Sequence, residues 1–188
     1  MILAGIDYSL TSPAICVHEG DEWRVENCRF YYLVHREKSL VTSGQFYGEL
    51  YSDWSCDTQR YENLAEWSAR VLSLNGVQKC FIEGYAFNAV GRVFQIAENT
   101  GHLKYTLWKS RIPFHVFAPP EIKKFATKKG NANKEKMYEA FLEETMVDIR
   151  SKLDILNKNQ WNPVSDIVDS YYIAKLGFMK EKENVDQA

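Results

Sequence analysis

The amino-acid sequence predicts an α/β domain in which an antiparallel meander is followed by alternating helices and strands. Three apolar segments at the start are separated by short turns, one at Ser12 and Pro13 and one at Gly20 and Asp21, which favours antiparallel neighbours. Two later apolar segments each follow a helical pattern, and helical crossovers connect parallel strands. We therefore expect five strands, the first three antiparallel and the last two parallel to each other.

Local patterns place the individual elements along the chain. Apolar runs bounded by turn residues predict strands over residues 2–7, 14–20, 22–35, 77–87 and 112–119. Apolar residues three or four positions apart predict helices over residues 60–74, 89–109, 120–127, 133–150 and 165–180. Asn75 and Gly76 end the first helix, and Pro119 ends the fifth strand. We expect one domain over residues 1–180 and a flexible tail over residues 181–188.

One long segment fits neither pattern. Residues 36–59 are polar and contain Ser, Thr, Gly and Asp, which predicts a long loop or irregular connection.

Length and composition limit the class of protein. The 188 residues, 45% hydrophobic and 26% charged, suffice for one globular domain with a full core. The sequence contains no apolar stretch as long as a membrane span and no basic leader at its start. Its four scattered cysteines favour reduced thiols over a zinc site or a disulfide framework. We expect a cytoplasmic protein, nucleoid-associated or in the host cytoplasm if viral, and an organellar location stays open.

The charge distribution is more informative than the net charge of −2. Between residues 123 and 136 the chain carries six lysines and one acid, Glu135. On charge alone, a solvated helix face is the favoured interpretation of such a segment. A local basic stripe can nevertheless hold a polyanion on a protein with slightly negative total charge.

Four carboxylates occupy positions where chemistry is expected. Asp7 and Glu83 each end an apolar strand, and Asp166 and Asp169 share one face near the start of the last helix. Taken singly, each suits a turn, a strand end or a first helical turn. If the two strands are parallel neighbours, however, their carboxyl ends meet at the edge where open α/β sheets bind ligands.

Together these acids favour a metal site. Four carboxylates in one cleft repel each other unless a cation holds them. Oxygen ligands without a histidine or cysteine cluster select Mg²⁺ or Mn²⁺. The chemistry suited to that set is phosphodiester hydrolysis with two metal ions.

Four motifs carry a resemblance to a known family. The segments GIDYSLT, FIEGYAF, PPEIKKFATKKGNANKEKM and SDIVDSYYIA resemble, in order and approximate spacing, the RuvC-type Holliday-junction resolvases of the RNase H-like superfamily. The resemblance runs from residue 1 to about residue 180. It implies an RNase H-like fold, with a five-stranded mixed sheet, the first three strands antiparallel, the first and fourth adjacent, and helices on both faces.

The resemblance also implies an activity and a set of site residues. The family's four metal-binding, catalytic acids correspond to Asp7, Glu83, Asp166 and Asp169. They would hold two Mg²⁺ ions per site, with Mn²⁺ as a substitute. The implied activity is the resolution of four-way (Holliday) DNA junctions by paired symmetric nicks, without a nucleotide cofactor or a membrane.

Further residues are implied to bind DNA. Two lysines correspond to Lys123 and Lys134, with Lys128 and Lys129 completing the basic stripe. The family also places an aromatic after the glutamate that stacks on an unpaired base. Tyr85 and Phe87 flank that position, and packing at the sheet edge is their alternative role.

Family members act as homodimers, each subunit cutting one of two opposed strands. Residues 89–109 occupy the place of the dimer helix. The alternative is that the apolar stripe of this helix, which includes Phe94, Tyr105 and Trp108, packs on the sheet.

Other functions remain as alternatives. An RNase H-like nuclease acting on flaps, forks or RNA–DNA hybrids would need the same acids, and a non-catalytic DNA-binding module would not need all four. An ATP-binding protein of the actin and sugar-kinase type would need a second lobe and a later glycine-rich motif, which the chain lacks. The long 36–59 segment leaves a viral or organellar branch open.

Overall fold

The computed structural model describes residues 1–37, 40–84 and 93–186, which form a mixed α/β structure around one sheet. Its strands are β1 (Ile2–Asp7), β2 (Ala14–Glu19), β3 (Cys28–Val34), β4 (Thr42–Ser43), β5 (Phe46–Leu50), β6 (Lys79–Glu83) and β7 (Phe114–Phe117). Its α-helices are α1 (Asp57–Leu74), α2 (Val93–Lys109), α3 (Pro119–Thr127), α4 (Lys134–Thr145), α5 (Ile149–Lys152) and α6 (Val164–Asp186).

The pairing of the predicted strands is confirmed. In the strand order β4-β5-β3-β2-β1-β6-β7, β1 pairs antiparallel with β2, and β2 pairs antiparallel with β3. On the other side of β1, β6 lies parallel to it, and β7 lies parallel to β6. The first and fourth predicted strands are therefore neighbours whose carboxyl ends share one edge.

The prediction of five strands and a long loop over residues 36–59 is wrong. That segment contributes β4 and β5, and β5 extends the sheet by pairing parallel with β3, so the sheet has seven strands. Phe46 of β5 is buried, and its ring stacks 5.2 Å from the ring of Phe30. Phe46 is the one buried residue among the five of β5, so burial imposes no alternating apolar pattern on the sequence of this strand.

Smaller differences concern where elements begin and end. The predicted strand over residues 22–35 starts with a 3₁₀ turn at Val25–Asn27 and becomes extended only at β3. The predicted helix over residues 133–150 is divided into α4 and α5, because Met146 adopts a left-handed conformation (φ 58°) that ends α4. Helix α6 continues to Asp186, beyond the predicted end at residue 180.

Helices cover both faces of the sheet, as predicted. Alternate residues of β1 and β6 face opposite sides, so Leu3 and Phe81 pack with α6, whereas Ile6 and Ile82 pack in the layer of α1 and α2. Helices α3 and α4 pack beside α6. Within the described residues, no helix has both the length and the apolar character required to cross a lipid bilayer.

Two glycines let α6 lie directly on the sheet. A Cβ atom at Gly5 of β1 would lie 2.2 Å from the backbone nitrogen of Ala174 and 2.3 Å from the carbonyl oxygen of Ser170. A Cβ atom at Gly177 would lie 2.2 Å from the ring of Phe81 on β6. Any larger side chain at either position would push α6 outward, so these glycines determine how closely the helix approaches the two central strands.

Candidate active site

Strand geometry places Asp7 and Glu83 side by side. Leu3, Gly5 and Asp7 occupy alternate positions of β1, and the first two face α6. The parallel register pairs Ile6 with Ile82, so Asp7 and Glu83 follow at the next equivalent position of the two strands. Both strand ends therefore present a carboxylate at the same edge, on the face covered by α6.

Helix α6 supplies the other two acids. Asp166 lies in its first turn and is only 7% exposed, and Asp169 follows one turn later. Because α6 contacts β1 at Gly5 through Ser170 and Ala174, its preceding residues lie over the carboxyl end of that strand. The structure thus brings together all four carboxylates that the sequence singled out.

The four acids affect one another's ionisation. Burial raises the pKa of Asp7 well above its ordinary value, and the charges of Asp166, Glu83 and Asp169 add to that rise. Burial, together with the charge of Asp169, raises the pKa of Glu83 to about 7. Without a cation, the four acids resist being ionised together.

The two acids of α6 follow the same pattern. Burial raises the pKa of Asp166 to about 7 against the opposing effects of the Ser12 hydroxyl and Lys134. Burial raises the pKa of Asp169 to about 6, although Lys123 and Lys134 both act to lower it. One oxygen of Asp166, Oδ2, is buried and has no hydrogen-bond partner. An orphaned carboxylate oxygen of this kind is a suitable ligand atom for a cation.

Two lysines of the basic stripe reach the carboxylate pocket. The charge of Lys123 on α3 lowers the pKa of Glu83 and of Asp169, so Lys123 lies on the side of the pocket formed by β6. Lys134 is the first residue of α4, and the Asn133 side chain caps that helix by accepting a hydrogen bond from the Lys136 nitrogen at 2.9 Å. Both lysines therefore stand at the rim of the pocket on the side of α3 and α4.

The remaining predicted DNA-binding residues lie elsewhere. Lys128 and Lys129 follow the end of α3 and line an open pocket of about 550 Å³ between α3 and α4, together with Lys136. Tyr85 and Phe87 lie outside the described residues.

Sequence reasoning missed several residues that support the pocket. The hydroxyl of Ser12 lies beside Asp166. The Tyr51 hydroxyl donates a hydrogen bond to the carbonyl oxygen of Leu10 at 3.0 Å, and Arg60 donates to the same oxygen. These two contacts hold the loop between Asp7 and Ser12. Tyr51 belongs to the segment predicted to be a loop, and nothing local in the sequence indicates that it reaches Leu10.

The donor set fits a hard divalent cation. Four carboxylates, one of which has a buried oxygen without a hydrogen-bond partner, suit Mg²⁺ or Mn²⁺, which prefer oxygen ligands. As the side chains stand, no three His, Cys, Asp or Glu residues in the described ranges already form a metal-binding group. Holding an ion would therefore require these carboxylates to rotate towards a common centre.

Comparison with known proteins shows which fold this is. Neither a protein-family model nor a curated protein sequence matches the chain. Among solved structures, Thermus thermophilus RuvC in complex with a Holliday junction substrate superposes with a TM-score of 0.60 at 15% identity, covering 96% of both chains. The fowlpox virus resolvase in complex with Holliday junction DNA gives 0.54 at 16% identity, covering 96% of this chain and 98% of that one.

A third structure is similar over a smaller share of its own length. The yeast mitochondrial Holliday junction resolvase Ydc2 gives a TM-score of 0.50 at 13% identity, covering 97% of this chain and 83% of that one. The chain thus has the fold of RuvC and other Holliday junction resolvases, along nearly its whole length.

The pKa shifts predict how pH affects the stability of the metal-free protein. A carboxyl whose pKa is raised on folding stabilises the protein at low pH, and this contribution is lost as the pH rises from the ordinary carboxyl pKa of about 4 to the folded-state values of about 6 to 7. We expect Asp7→Asn to raise the free energy of unfolding at pH 8 by about 1–3 kcal/mol, because it removes one buried charge, and to change it little at about pH 3, where Asp7 is protonated in both the folded and the unfolded chain.

Urea unfolding in EDTA at both pH values measures this effect. Glu62→Gln, on the exposed side of α1, serves as the matched surface control. A loss of stability at pH 8, or an equal change at both pH values, would contradict mutual repulsion in the pocket.

Proposed function

We propose that this protein is a metal-dependent, structure-selective endodeoxyribonuclease that resolves four-way DNA junctions by paired symmetric nicks. One observation carries the proposal: carboxylates from β1, β6 and α6 share a desolvated pocket that has two lysines at its rim. The fold supports it, because two of the structures with this fold, those of Thermus thermophilus RuvC and the fowlpox virus resolvase, are complexes with a Holliday junction.

The four carboxylates would be the metal ligands of this enzyme. Asp7, Glu83, Asp166 and Asp169 would hold two Mg²⁺ ions, with Mn²⁺ as a substitute. When bound, such ions activate a water and stabilise the leaving oxygen in phosphodiester hydrolysis. The protein contributes a pocket at one edge of the sheet in which Asp166 is buried and the other three acids are half-buried, so solvent screens their charges only in part.

The lysines would position the DNA backbone. Lys123 and Lys134 lie close enough to the carboxylates to lower their pKa values, so a phosphate in the pocket lies within their electrostatic reach. The free N–H groups at the start of α4 add a favourable site for an anion beside Lys134. Lys128 and Lys129 would extend this contact along the backbone, and contacts of this kind do not distinguish base sequence.

A second copy of the chain would provide the second cut. Helix α2 buries Leu103 and Leu107 against the sheet layer but exposes Phe94 (76%), Tyr105 (61%) and Trp108 (70%). The alternative that these three residues pack on the sheet is therefore wrong. A two-fold junction needs two sites related by symmetry, and this apolar face of α2 is a suitable dimer surface.

The deciding experiment is digestion of a mobile four-way junction. We expect paired symmetric nicks with Mg²⁺ and no cleavage with EDTA. Asp7→Asn should reduce cleavage at least about 10³-fold while leaving junction binding within about twofold, because it removes a ligand but also reduces repulsion of phosphate.

Parallel digestion of a flap, a fork and an RNA–DNA hybrid separates the alternatives. Preferential cutting of one of these would assign a different nuclease activity to the same site. Binding of the junction without metal-dependent cutting of any substrate would indicate a non-catalytic DNA-binding module.

Lys134 provides a separate test of DNA positioning. We expect Lys134→Ala to weaken binding to junction and duplex alike and to reduce the slope of log K against log salt by about 1, because one phosphate contact is lost. Lys152→Ala, an exposed lysine of α5, is the control. An unchanged salt slope for Lys134→Ala would contradict the phosphate contact.

Introducing positive charges on the exposed apolar face of α2 tests whether this face is the dimer surface. Tyr105→Lys combined with Trp108→Lys should yield a monomer in sedimentation equilibrium, since two cations would replace apolar contact area. This variant should produce single nicks rather than paired ones. A wild-type protein that is already monomeric with junction DNA bound would refute the assignment of this surface.

A further inference from the structure

A cleft opens on the β3 side of the carboxylate pocket. It has a volume of about 380 Å³ and lies between the loop after β1, the end of β3 and the segment before α6. Its lining includes Ser12, His35, Arg36, Gln160 and Asn162. Because Ser12 also lies beside Asp166, one end of this cleft adjoins the carboxylates.

Aromatic side chains form one wall beside the cleft. The rings of His35 and Tyr51 are stacked, with centroids 4.2 Å apart, and Trp54 stands edge-on to both at 6.1 and 5.8 Å. The guanidinium of Arg60 lies 4.7 Å from the Trp54 ring centre. We call His35, Tyr51, Trp54 and Arg60 the aromatic wall.

The aromatic wall has an inner and an outer part. Tyr51 and Arg60 face inward, where both donate hydrogen bonds to the Leu10 carbonyl. Burial raises the pKa of Tyr51, Arg60 opposes this rise, and the charge of Asp166 adds to it, so the wall is within electrostatic reach of the carboxylates. His35 is exposed and Trp54 is 37% exposed. The outer part is therefore accessible to solvent, with His35 lining the cleft and Trp54 standing beside His35.

The chemistry of this surface matches an unpaired nucleotide. Burial and the charges of Arg60 and Arg36 lower the pKa of His35, so at neutral pH its ring is uncharged and suited to stacking. Arg36 is an exposed cation for a phosphate, and the amides of Gln160 and Asn162 can bond to base edges. Paired bases stacked in a duplex do not offer the faces that such rings contact.

Sheet order separates this surface from the lysines. Strands β3 and β5 lie on one side of β1, whereas β6, which carries Glu83 near Lys123, lies on the other. A DNA strand crossing the carboxylate pocket would contact lysines on one side and the aromatic wall on the other.

We propose that this cleft binds an unpaired segment of the DNA strand on which the carboxylate pocket acts. A base of that segment stacks on the outer part of the aromatic wall, and a phosphate contacts Arg36. The proposal rests on the function proposed above. It adds a second stacking surface, separate from Tyr85 and Phe87.

Binding of single-stranded DNA without metal tests this proposal. The probe is a short fluorescein-labelled oligothymidine, compared with a duplex of the same length, both in EDTA with the Asp7→Asn protein so that no cutting intervenes. We expect Trp54→Ala and Arg36→Gln each to weaken single-strand binding about tenfold and duplex binding by less than about twofold. Trp54→Phe should retain most of the affinity, and Arg24→Gln, an exposed arginine paired with Glu22, is the charge control.

The outcomes distinguish the cleft from the enzyme activity. If wild-type protein fails to cut any junction but the single-strand losses occur as expected, the proposed function fails and the cleft remains a nucleotide site. Unchanged single-strand binding in both variants overturns the cleft, whatever the cleavage assay shows. Equal losses on single strand and duplex also overturn it, because Arg36 would then be an unspecific phosphate contact. Should Trp54→Ala unfold, the exposed Arg36 variant decides alone.

Discussion

The close packing of α6 on β1 and β6 is the constraint on which the candidate site depends. Without side chains at Gly5 and Gly177, the helix backbone and the strands approach to contact distance. The acids of α6 are thereby held over the strand ends that carry Asp7 and Glu83. Because these groups are largely buried and close together, their pKa values rise, and ionising all four at once is unfavourable without a cation.

Much of the central sheet could be predicted from sequence because its signals are local. Apolar runs that end in an acid identified β1 and β6, and crossover helices implied that β6 and β7 are parallel, which the structure confirms. The adjacency of β1 and β6, also confirmed, was implied by the resemblance to a family. The α6 acids were recognisable from their three-residue spacing. The positions of Lys123 and Lys134 came from the resemblance to a family, since their charge pattern alone favoured a solvated helix face.

The outer strands of the sheet could not be predicted, because the contacts that specify them are not local in the sequence. Strand β5 depends on one buried aromatic, Phe46, and on backbone pairing with β3, neither of which gives a periodic pattern. Tyr51 and Arg60 meet Leu10 across 41 and 50 residues of chain. Contacts of that range arise from the completed fold, so a single sequence carries no local sign of them.

The shared carbonyl of Leu10 has a consequence for the architecture of the chain. Tyr51 directly follows β5, and Arg60 lies near the start of α1. Both donate a hydrogen bond to the Leu10 carbonyl, so they support the turn that follows Asp7. The hairpin formed by β4 and β5 is thus linked, through Tyr51, to the turn beside the carboxylate pocket. A shortened chain without this hairpin and Tyr51 would keep every acid but would leave Arg60 as the remaining one of these two donors to the turn.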